Sequence, residues 1–295
     1  GHATTFDFRE KAPLASTERM YLGLDGNVVA NSNHIGALAV GVPGTVAGLW
    51  KAHQELGSLP WAELVAPAVK LARDGIPISY SLYTGFARSK GRFDQYPSSA
   101  AKFFKADGSL YEMGETWRQP DLAHTLELIQ NNGADGFYKG ENAERLAGFM
   151  VDIGGIITEE DLLKYEPQER EPIRGTYRGY DIVSMPPPSS GGVILVEMLN
   201  ILEGFDLADM GHNSADYLHV LTETMRRAYA DRAEHLGDPD FNEGMPLQRL
   251  MDKDYAETLR ASIDMDAASQ SSPADFAQIY ESEETTHFSI VDKEG

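Results

Sequence analysis

The sequence predicts an α+β fold in which helices predominate and the strands are too few to complete a sheet. Helical spacings of apolar residues recur through the middle of the chain. Strand-like alternation occurs near both ends, with one hairpin between them. A stable sheet needs more strands than this, or a helix packed on its apolar face. We therefore expect a helix-rich segment with an incomplete central sheet, whose remaining strands lie outside these 295 residues.

Composition excludes several classes of partner and site. The net charge of -21, from 46 acidic and 25 basic residues, disfavours binding to nucleic acid or anionic membranes. The chain has 0 cysteines, which excludes disulfides, thiolate metal sites and a cysteine nucleophile. We find no apolar run of the ~18–20 residues that a membrane-spanning helix needs and no signal-peptide pattern.

The first half of the chain opens with a strand and continues into helices. Residues 3–8 alternate as a strand, and Arg9 follows at its end. The segment 41–45 precedes a helical pattern that runs to Leu56 and ends at Gly57. Pro60 suits the first turn of the next helix, which Gly75 ends.

The central part begins with a stretch that lacks a clear period. Residues 76–118 are aromatic and polar, and no element is predicted there. A helix is predicted over 121–130 and a shorter one from near Glu141. Residues 158–161 have the pattern of a helix-capping box.

The second half begins with a hairpin and ends in an acidic tail and a strand. Residues 174–178 and 180–185 are predicted to pair across Gly179. Helices are predicted over 192–203 and from about 214 to 236. The acidic segment 264–284 is predicted to be exposed and mobile, and residues 286–292 to form a strand.

Thr285 is the candidate nucleophile. It lies where the acidic segment meets the last predicted strand. If the chain were cut before it, one residue would carry both a hydroxyl and a free α-amine. Such an amine, with a pKa of about 7.7–8.0, can act as the base that activates the hydroxyl. The pattern alone favours the simpler interpretation, the exposed face of an edge strand, because threonine is common there.

Nine short segments of the chain are together specific, although each alone is weak. They are residues 7–10 (Asp-Phe-Arg-Glu), 41–48, 71–75, 137–140, 177–180, 185–192, 229–232, 237–241 and 285–289 (Thr-Thr-His-Phe-Ser). In these segments, which occur in the family's order, the chain resembles the γ-glutamyltranspeptidase family along essentially its whole length.

The resemblance implies a self-cleaving N-terminal-nucleophile hydrolase with an αββα sandwich. The family's precursor cuts itself before a threonine that matches Thr285, so the expected scissile bond is Glu284–Thr285. The same hydroxyl would then attack γ-glutamyl amides such as glutathione and form an acyl-enzyme. No metal or organic cofactor is expected, because the described chemistry needs none.

Arg9 is the candidate substrate-binding residue. Next to Asp7 and Glu10, an exposed arginine could simply form a solvated ion pair. The resemblance instead implies that Arg9 binds the α-carboxylate of the glutamyl group. Its planar guanidinium suits that role because it can hold a carboxylate through two parallel hydrogen bonds.

Other motifs leave their roles open. Residues 186–192 could be a rigid turn, a serine cap and glycines that allow close helix packing, or they could line a pocket. The segment 41–48 lacks phosphate-loop spacing and is interpreted as a helix start. Asp238 and Asp240 lack the spacing of a calcium loop, and the histidines lack the spacing of a zinc site.

The resemblance also places boundaries on the chain. Residues 1–284 correspond to most of the large subunit and 285–295 to the start of the small subunit. The groups that stabilise the oxyanion and grip the rest of the substrate would lie beyond Gly295, so the segment alone should be nearly inert. The partner expected after cleavage is the chain's own small subunit. Family habit predicts a periplasmic or secreted protein.

Three rival functions remain open from the sequence. A cephalosporin or glutaryl acylase, or a poly-γ-glutamate depolymerase, would keep the fold and the nucleophile but change the substrate. Arg9 does not separate these, because a glutaryl chain also ends in a carboxylate. A relative that is never cleaved could instead serve as a binding or scaffold protein.

Overall fold

A computed structural model describes residues 2–271 and 287–293 and confirms the helix-rich α+β fold. Its helices are α1 (Thr45–Leu56), α2 (Trp61–Asp74), α3 (Tyr80–Phe93), α4 (Pro97–Phe103), α5 (Pro120–Asn132), α6 (Asp135–Tyr138), α7 (Gly140–Ile153), α8 (Glu159–Leu163), α9 (Gly191–Glu203), α10 (Leu207–Met210), α11 (Ala215–His235), α12 (Leu247–Leu250) and α13 (Lys253–Ala261). Its strands are β1 (Thr5–Asp7), β2 (Ile76–Pro77), β3 (Thr116–Trp117), β4 (Gln168–Arg170), β5 (Ile173–Tyr177) and β6 (Tyr180–Ser184).

The strands of the described residues form small sheets only. The pairings are β1 with β4, β2 with β3, and β5 with β6, and each sheet has 2 strands. Such two-stranded pieces are marginal in water and depend on the helices packed on them. This agrees with the expectation of an incomplete central sheet.

The chain divides into two units, of which Phe6–Gln168 is one. One of its apolar clusters is centred on Leu162 and Ile157, which are 0% and 2% exposed. A second cluster joins Phe86, Phe104 and Trp117, and the rings of Phe86 and Trp117 meet edge-on at 76°. The first cluster joins elements from before and after residues 76–118, and the second packs the elements within that stretch against one another.

The other unit contains the described residues before Phe6 and after Gln168. Helix α9 lies at its centre and packs against β5, α11 and α13. This central position explains why α9 is apolar nearly all round, with Val193 and Ile201 both 0% exposed. Strand β6 and helix α12 also contact this helix.

The hairpin predicted around Gly179 is confirmed as β5 and β6. Arg178 and Gly179 have positive φ angles of 49° and 86°, as a tight hairpin turn with the right-handed strand twist requires. Arginine rarely adopts this conformation, and Glu203 stabilises it by accepting the Arg178 backbone N–H at 2.7 Å. The Arg178 guanidinium also donates to the Phe205 carbonyl at 2.7 Å.

The capping box is confirmed at the start of α8. The Thr158 hydroxyl accepts the Asp161 N–H at 3.3 Å, and the Asp161 carboxylate accepts the Thr158 N–H at 2.7 Å. Asp161 also accepts the backbone N–H of Leu14 at 2.6 Å. Its carboxylate therefore caps a helix and holds the N-terminal loop at the same time.

Residues 76–118, in which the sequence shows no clear period, have regular structure. They contain α3 and α4 between the short strands β2 and β3. Helix α3 begins at a serine cap, where the Ser79 hydroxyl accepts the Leu82 N–H at 3.2 Å. Gly85 and Gly91 lie on its exposed side, and their low helix propensity weakened the helical signal of the sequence.

The expectation of a strand near the C-terminus is wrong for the described residues. Residues 287–293 form no strand, and Phe288 and Ile290 are 75% and 84% exposed. A strand needs a neighbour for its backbone hydrogen bonds, and none pairs with these residues in the described structure. In the tail predicted to be exposed and mobile, residues 264–268 are exposed, and Ser269 donates its N–H and its hydroxyl to the Glu223 carboxylate of α11. Residues 272–286 lie outside the described structure.

A buried carboxyl group in the α9 core makes the stability of the fold depend on pH. Glu197 is 0% exposed, and burial together with the nearby Asp231 raises its pKa well above the ordinary value. The Tyr255 hydroxyl of α13 donates to Asp231 at 2.7 Å. Because the folded state keeps Glu197 protonated, its contribution is fully present below the unfolded pKa of 4.5 and is lost as the pH rises through the raised folded value.

Glu197→Gln is therefore expected to flatten the pH dependence of stability. The amide is neutral at every pH, so the unfolding free energy should lose about 1–3 kcal/mol less than the wild type between about pH 5 and about pH 9. Denaturant titrations at the two pH values measure this difference. The control is Glu257→Gln, an exposed glutamate on α13, the helix that packs against α9. A wild-type pH dependence in Glu197→Gln would contradict the assignment.

No helix among the described residues combines the length and the apolar character needed to cross a bilayer.

Candidate functional site

Arg9 lies just beyond β1 and is exposed to solvent. The Asp7 carboxylate accepts the Arg9 backbone N–H at 3.2 Å and fixes the chain where the strand ends. The Tyr165 hydroxyl donates to the Arg9 carbonyl at 2.7 Å. Both bonds hold the backbone of Arg9, so its Cα position is fixed while the side chain is exposed to solvent.

The segment that carries Arg9 is paired with the segment before α1. Lys11 donates its N–H to the Val42 carbonyl at 3.1 Å, and Val42 donates to the Lys11 carbonyl at 2.7 Å. This antiparallel bridge places the Arg9 segment against the glycine-containing residues 41–48. Two family segments that are far apart in the sequence therefore form one local structure.

The glycines of residues 41–48 are required by this close approach. A Cβ atom at Gly44 would collide with the Phe8 carbonyl and with the Tyr165 hydroxyl. A Cβ atom at Gly48 would collide with the Phe8 ring. The prediction that this segment begins a helix is correct, because α1 starts at Thr45. The sequence did not indicate that its glycines also accommodate the Arg9 segment.

Two stacked tyrosines support the arrangement, and sequence reasoning assigned neither a role. Tyr138 and Tyr165 are both buried, with ring centroids 5.7 Å apart and planes 11° from parallel. The Tyr138 hydroxyl donates to the Pro43 carbonyl at 2.7 Å. Burial raises the pKa of Tyr138 to about 12 and that of Tyr165 above its ordinary range, so both hydroxyls remain donors. Tyr138 lies in a family segment, which was the available signal.

Glu284 and Thr285, the predicted scissile pair, lie outside the described residues. Of the predicted site residues, Arg9 alone has a described environment. The assignments of Arg9, Glu284 and Thr285 therefore stay predictions.

Three other family segments meet at one cavity of about 380 Å³ in the second unit. Its lining includes Pro188 and Ser190 from the first, Arg232 from the second, and Gly237 and Asp238 from the third. The Arg232 guanidinium donates to the Ser190 hydroxyl at 2.8 Å. Pro188 and Ser190 of the segment 186–192 therefore line a pocket, which agrees with one of the two interpretations left open by the sequence.

The same segment also brings helix and chain into close contact, as the other interpretation expected. A Cβ atom at Gly192 would collide with the Met185 carbonyl. The Ser189 hydroxyl accepts the Gly191 N–H at 3.3 Å, whereas the residue before the helix, Ser190, makes no side-chain cap. Glycine at position 192 thus lets α9 begin against the end of β6.

The described residues contain no cluster of three or more His, Asp or Glu side chains that could hold a metal ion. Asp238 accepts the Asp240 N–H at 2.9 Å, as in a turn. Asp240 forms an ion pair with Arg170 at 3.2 Å. The carboxylates of both residues therefore have structural partners.

A polar stripe on α11, formed by His219, Glu223 and Arg227, holds the chain that leads towards Thr285. The three residues lie four apart and so share one helix face. His219 contacts the Asp264 carbonyl at 2.8 Å. Glu223 accepts the Ser269 N–H at 2.9 Å and its hydroxyl at 2.5 Å.

Arg227 completes the polar stripe. It donates to the Glu223 carboxylate at 2.7 Å and to the Ser262 carbonyl at 2.8 Å. Burial alone would raise the pKa of Glu223, but the hydrogen bonds from Ser269 and Arg227 lower it to about 2. Glu223 is thus a buried carboxylate with a paired charge, which anchors the chain at Ser269.

Glu223→Ala is expected to release the anchored segment. Hydrogen bonds to a charged group contribute about 1.5–3 kcal/mol each, so amide hydrogen exchange in residues 262–269 should accelerate by about ten-fold or more. Mass spectrometry of the exchanged peptides measures this. Ser271→Ala, at an exposed neighbouring serine, is the control. Unchanged protection of residues 262–269 in Glu223→Ala would contradict the anchor.

The comparisons with known proteins all point to one family, and they cover nearly the whole chain. The family model described as Gamma-glutamyltranspeptidase matches residues 1–295. A "Glutathione hydrolase proenzyme" from Pseudomonas sp. (strain A14) is 45% identical over 100% of this chain and 51% of its own length. The crystal structure of Helicobacter pylori gamma-glutamyltranspeptidase superposes with a TM-score of 0.90 at 41% identity, covering 96% of this chain and 82% of that one.

Relatives named as acylases are more distant. An "Acylase ACY 1 proenzyme" from Pseudomonas sp. (strain SE83) is 38% identical over 100% of this chain and 53% of its own length. The chain thus spans about half the length of the curated relatives it matches. With a family model that matches it from end to end, the chain belongs to the gamma-glutamyltranspeptidase family.

Proposed function

We propose that this chain is part of a self-processing γ-glutamyl hydrolase and transferase that acts on glutathione and related γ-glutamyl compounds. The observation that carries the proposal is the 45% identity to a glutathione hydrolase proenzyme across 100% of the chain. The term proenzyme and the half-length match support a processed, two-subunit enzyme. In this proposal residues 1–284 belong to the large subunit and residues 285–295 begin the small one.

Self-cleavage uses the Thr285 hydroxyl before it becomes a catalyst for other molecules. Its oxygen attacks the Glu284 carbonyl, and the peptide C–N bond breaks as the Thr285 nitrogen takes up a proton. The resulting ester joins Glu284 to the Thr285 oxygen. Water hydrolyses this ester, which leaves a carboxylate on Glu284 and frees the hydroxyl and α-amine of Thr285.

Turnover repeats the same chemistry on the substrate. The α-amine of Thr285 accepts the hydroxyl proton as the oxygen attacks the γ-glutamyl amide, and the leaving amine departs with a proton. The acyl-enzyme then passes to water or to the amine of an amino acid. Arg9 holds the α-carboxylate of the glutamyl group, and its backbone is fixed by Asp7 and Tyr165.

The substrate is tested by comparing two donors on the full-length protein. The two donors, γ-glutamyl-p-nitroanilide and glutaryl-p-nitroanilide, differ only in the α-amino group, which the glutaryl compound lacks. A difference between their initial rates therefore measures how strongly the enzyme recognises that group. The proposal predicts a clear preference for the γ-glutamyl donor. A preference for the glutaryl donor would favour the second candidate, an acylase, which the 38% identity to an acylase proenzyme supports more weakly.

We also propose that the full-length protein is exported to the periplasm or the medium, which rests on family habit. Fractionation of cells that express the full-length protein tests this. Activity that stays with the cytoplasmic fraction would contradict it.

A further inference from the structure

An arginine that grips a carboxylate through two bonds needs a fixed backbone as well as a fixed partner. Misplacing a binding group by about 1 Å can cost about 100-fold in rate, because its hydrogen bonds lose their geometry. Arg9 lies beyond the end of a three-residue strand and is exposed, so β1 alone gives it little support. The source of its rigidity must therefore lie elsewhere in the fold.

Tyr165 is the residue that reaches Arg9 from a distant part of the chain. It follows α8, 156 positions after Arg9, and its hydroxyl donates to the Arg9 carbonyl at 2.7 Å. Its ring is 7% exposed and belongs to the cluster that contains Leu162 and Ile157. The carbonyl of an exposed residue is thus tied directly to a rigid apolar core.

The residues around Tyr165 fix the position of its ring and hydroxyl. Tyr138 stacks on one face of the ring, and the Lys11 ammonium lies 5.6 Å from the ring centroid. Gly44 contacts the hydroxyl so closely that a Cβ atom there would displace it. The hydroxyl is therefore held on the Arg9 carbonyl by packing on several sides, and not by the hydrogen bond alone.

We propose that Tyr165 is a positioning residue for Arg9 and sets the affinity for the α-carboxylate of the donor without taking part in bond making. This inference rests on the proposed function, in which Arg9 binds that carboxylate. The inference extends the proposed function to Tyr165, a residue that lies outside the nine segments shared with the family. Gly44 supports the same contact between Tyr165 and Arg9, because only glycine at position 44 leaves room for the Tyr165 hydroxyl.

Tyr165→Phe tests the inference in the full-length protein, because it removes only the hydroxyl. A hydrogen bond of this kind is equivalent to about a three- to ten-fold change in an equilibrium, so KM for γ-glutamyl-p-nitroanilide should rise by about that factor. The kcat should change by less than about two-fold, since the bond acts on binding of the donor in both ground and transition states. Tyr80→Phe, at a tyrosine that is 73% exposed in the same unit, is the matched control.

A second donor separates positioning from a general structural effect. 4-Aminobutanoyl-p-nitroanilide keeps the scissile amide and the amine but lacks the α-carboxylate, so its KM should not respond to Tyr165→Phe. In an Arg9→Lys background, Tyr165→Phe should add little, because the residue it positions is already changed. Equal KM changes for both donors, or none for either, would overturn the inference.

The Arg9→Lys variant distinguishes failure of the proposed role of Arg9 from failure of the positioning role of Tyr165. If Arg9→Lys leaves KM for the γ-glutamyl donor unchanged, the assigned role of Arg9 falls and the inference falls with it. If Arg9→Lys raises KM while Tyr165→Phe does not, only the positioning role of Tyr165 is overturned.

Discussion

Replacing Thr285 by alanine is expected to abolish both self-cleavage and turnover of the full-length protein. The same hydroxyl oxygen is the nucleophile in both reactions, and alanine carries no group that can replace it. Loss of a nucleophile in a comparable hydrolase costs about 10⁶-fold in kcat, so residual activity should lie below detection in a standard assay. Gel analysis of the freshly purified protein and p-nitroaniline release measure the two effects.

Thr285→Ser is the matched control for this prediction. Serine keeps both the hydroxyl and the α-amine on one residue, so cleavage and turnover should persist at a reduced rate. A Thr285→Ala protein that still separated into two fragments at this junction would show that the nucleophile lies elsewhere. A Thr285→Ser protein that was as inactive as the alanine variant would show that the hydroxyl alone is not the required group.

Replacing Arg9 by lysine is expected to raise KM for γ-glutamyl donors by about 10- to 100-fold and to leave self-cleavage intact. Lysine keeps the charge but cannot form the two parallel hydrogen bonds of a guanidinium with a carboxylate. One lost hydrogen bond to a charged group corresponds to about 1.5–3 kcal/mol, which gives the expected range. Steady-state kinetics of the processed protein measure this change.

Arg92→Lys on α3 provides the control, because Arg92 is also exposed and lies in the same unit. It should leave KM within about two-fold of the wild type, since exposed charges contribute little on their own. An unchanged KM in Arg9→Lys would remove Arg9 from the substrate site. A loss of self-cleavage would instead mean that Arg9 acts before the substrate arrives.

Elements with strong local signals could be predicted from the sequence. Helix α1 begins after a glycine-containing segment and ends before Gly57, as its pattern predicted. The hairpin around Gly179 and the capping box at Thr158 were also located correctly, because turn and cap chemistry is decided by neighbouring residues. These are features in which local preference and tertiary structure agree.

Elements that depend on distant contacts could not be predicted in the same way. Helix α3 contains two glycines, and its helical state depends on packing Phe86 into an aromatic cluster with Trp117. Glu197 and Glu223 are buried, although glutamate side chains are usually exposed. Packing against other helices decided their environments, so no local pattern could indicate them.

In the candidate site, too, the functional residues could be proposed from the sequence, whereas the residues that support them could not. Family segments located Arg9 and Thr285 as predictions, but the supports of Arg9 come from residues far along the chain. Tyr165 reaches it across 156 positions, and Gly44 makes room for that contact. Such support depends on three-dimensional packing, which a single sequence without an alignment does not reveal.

The most direct test of the central claim is the intact mass of the full-length protein, followed in time after purification. The account predicts two fragments whose masses meet at the Glu284–Thr285 bond, with a free α-amine on Thr285. It also predicts that activity appears in step with the fragments. A single uncut chain that is fully active, or that stays uncut and inactive after long incubation, would contradict the account.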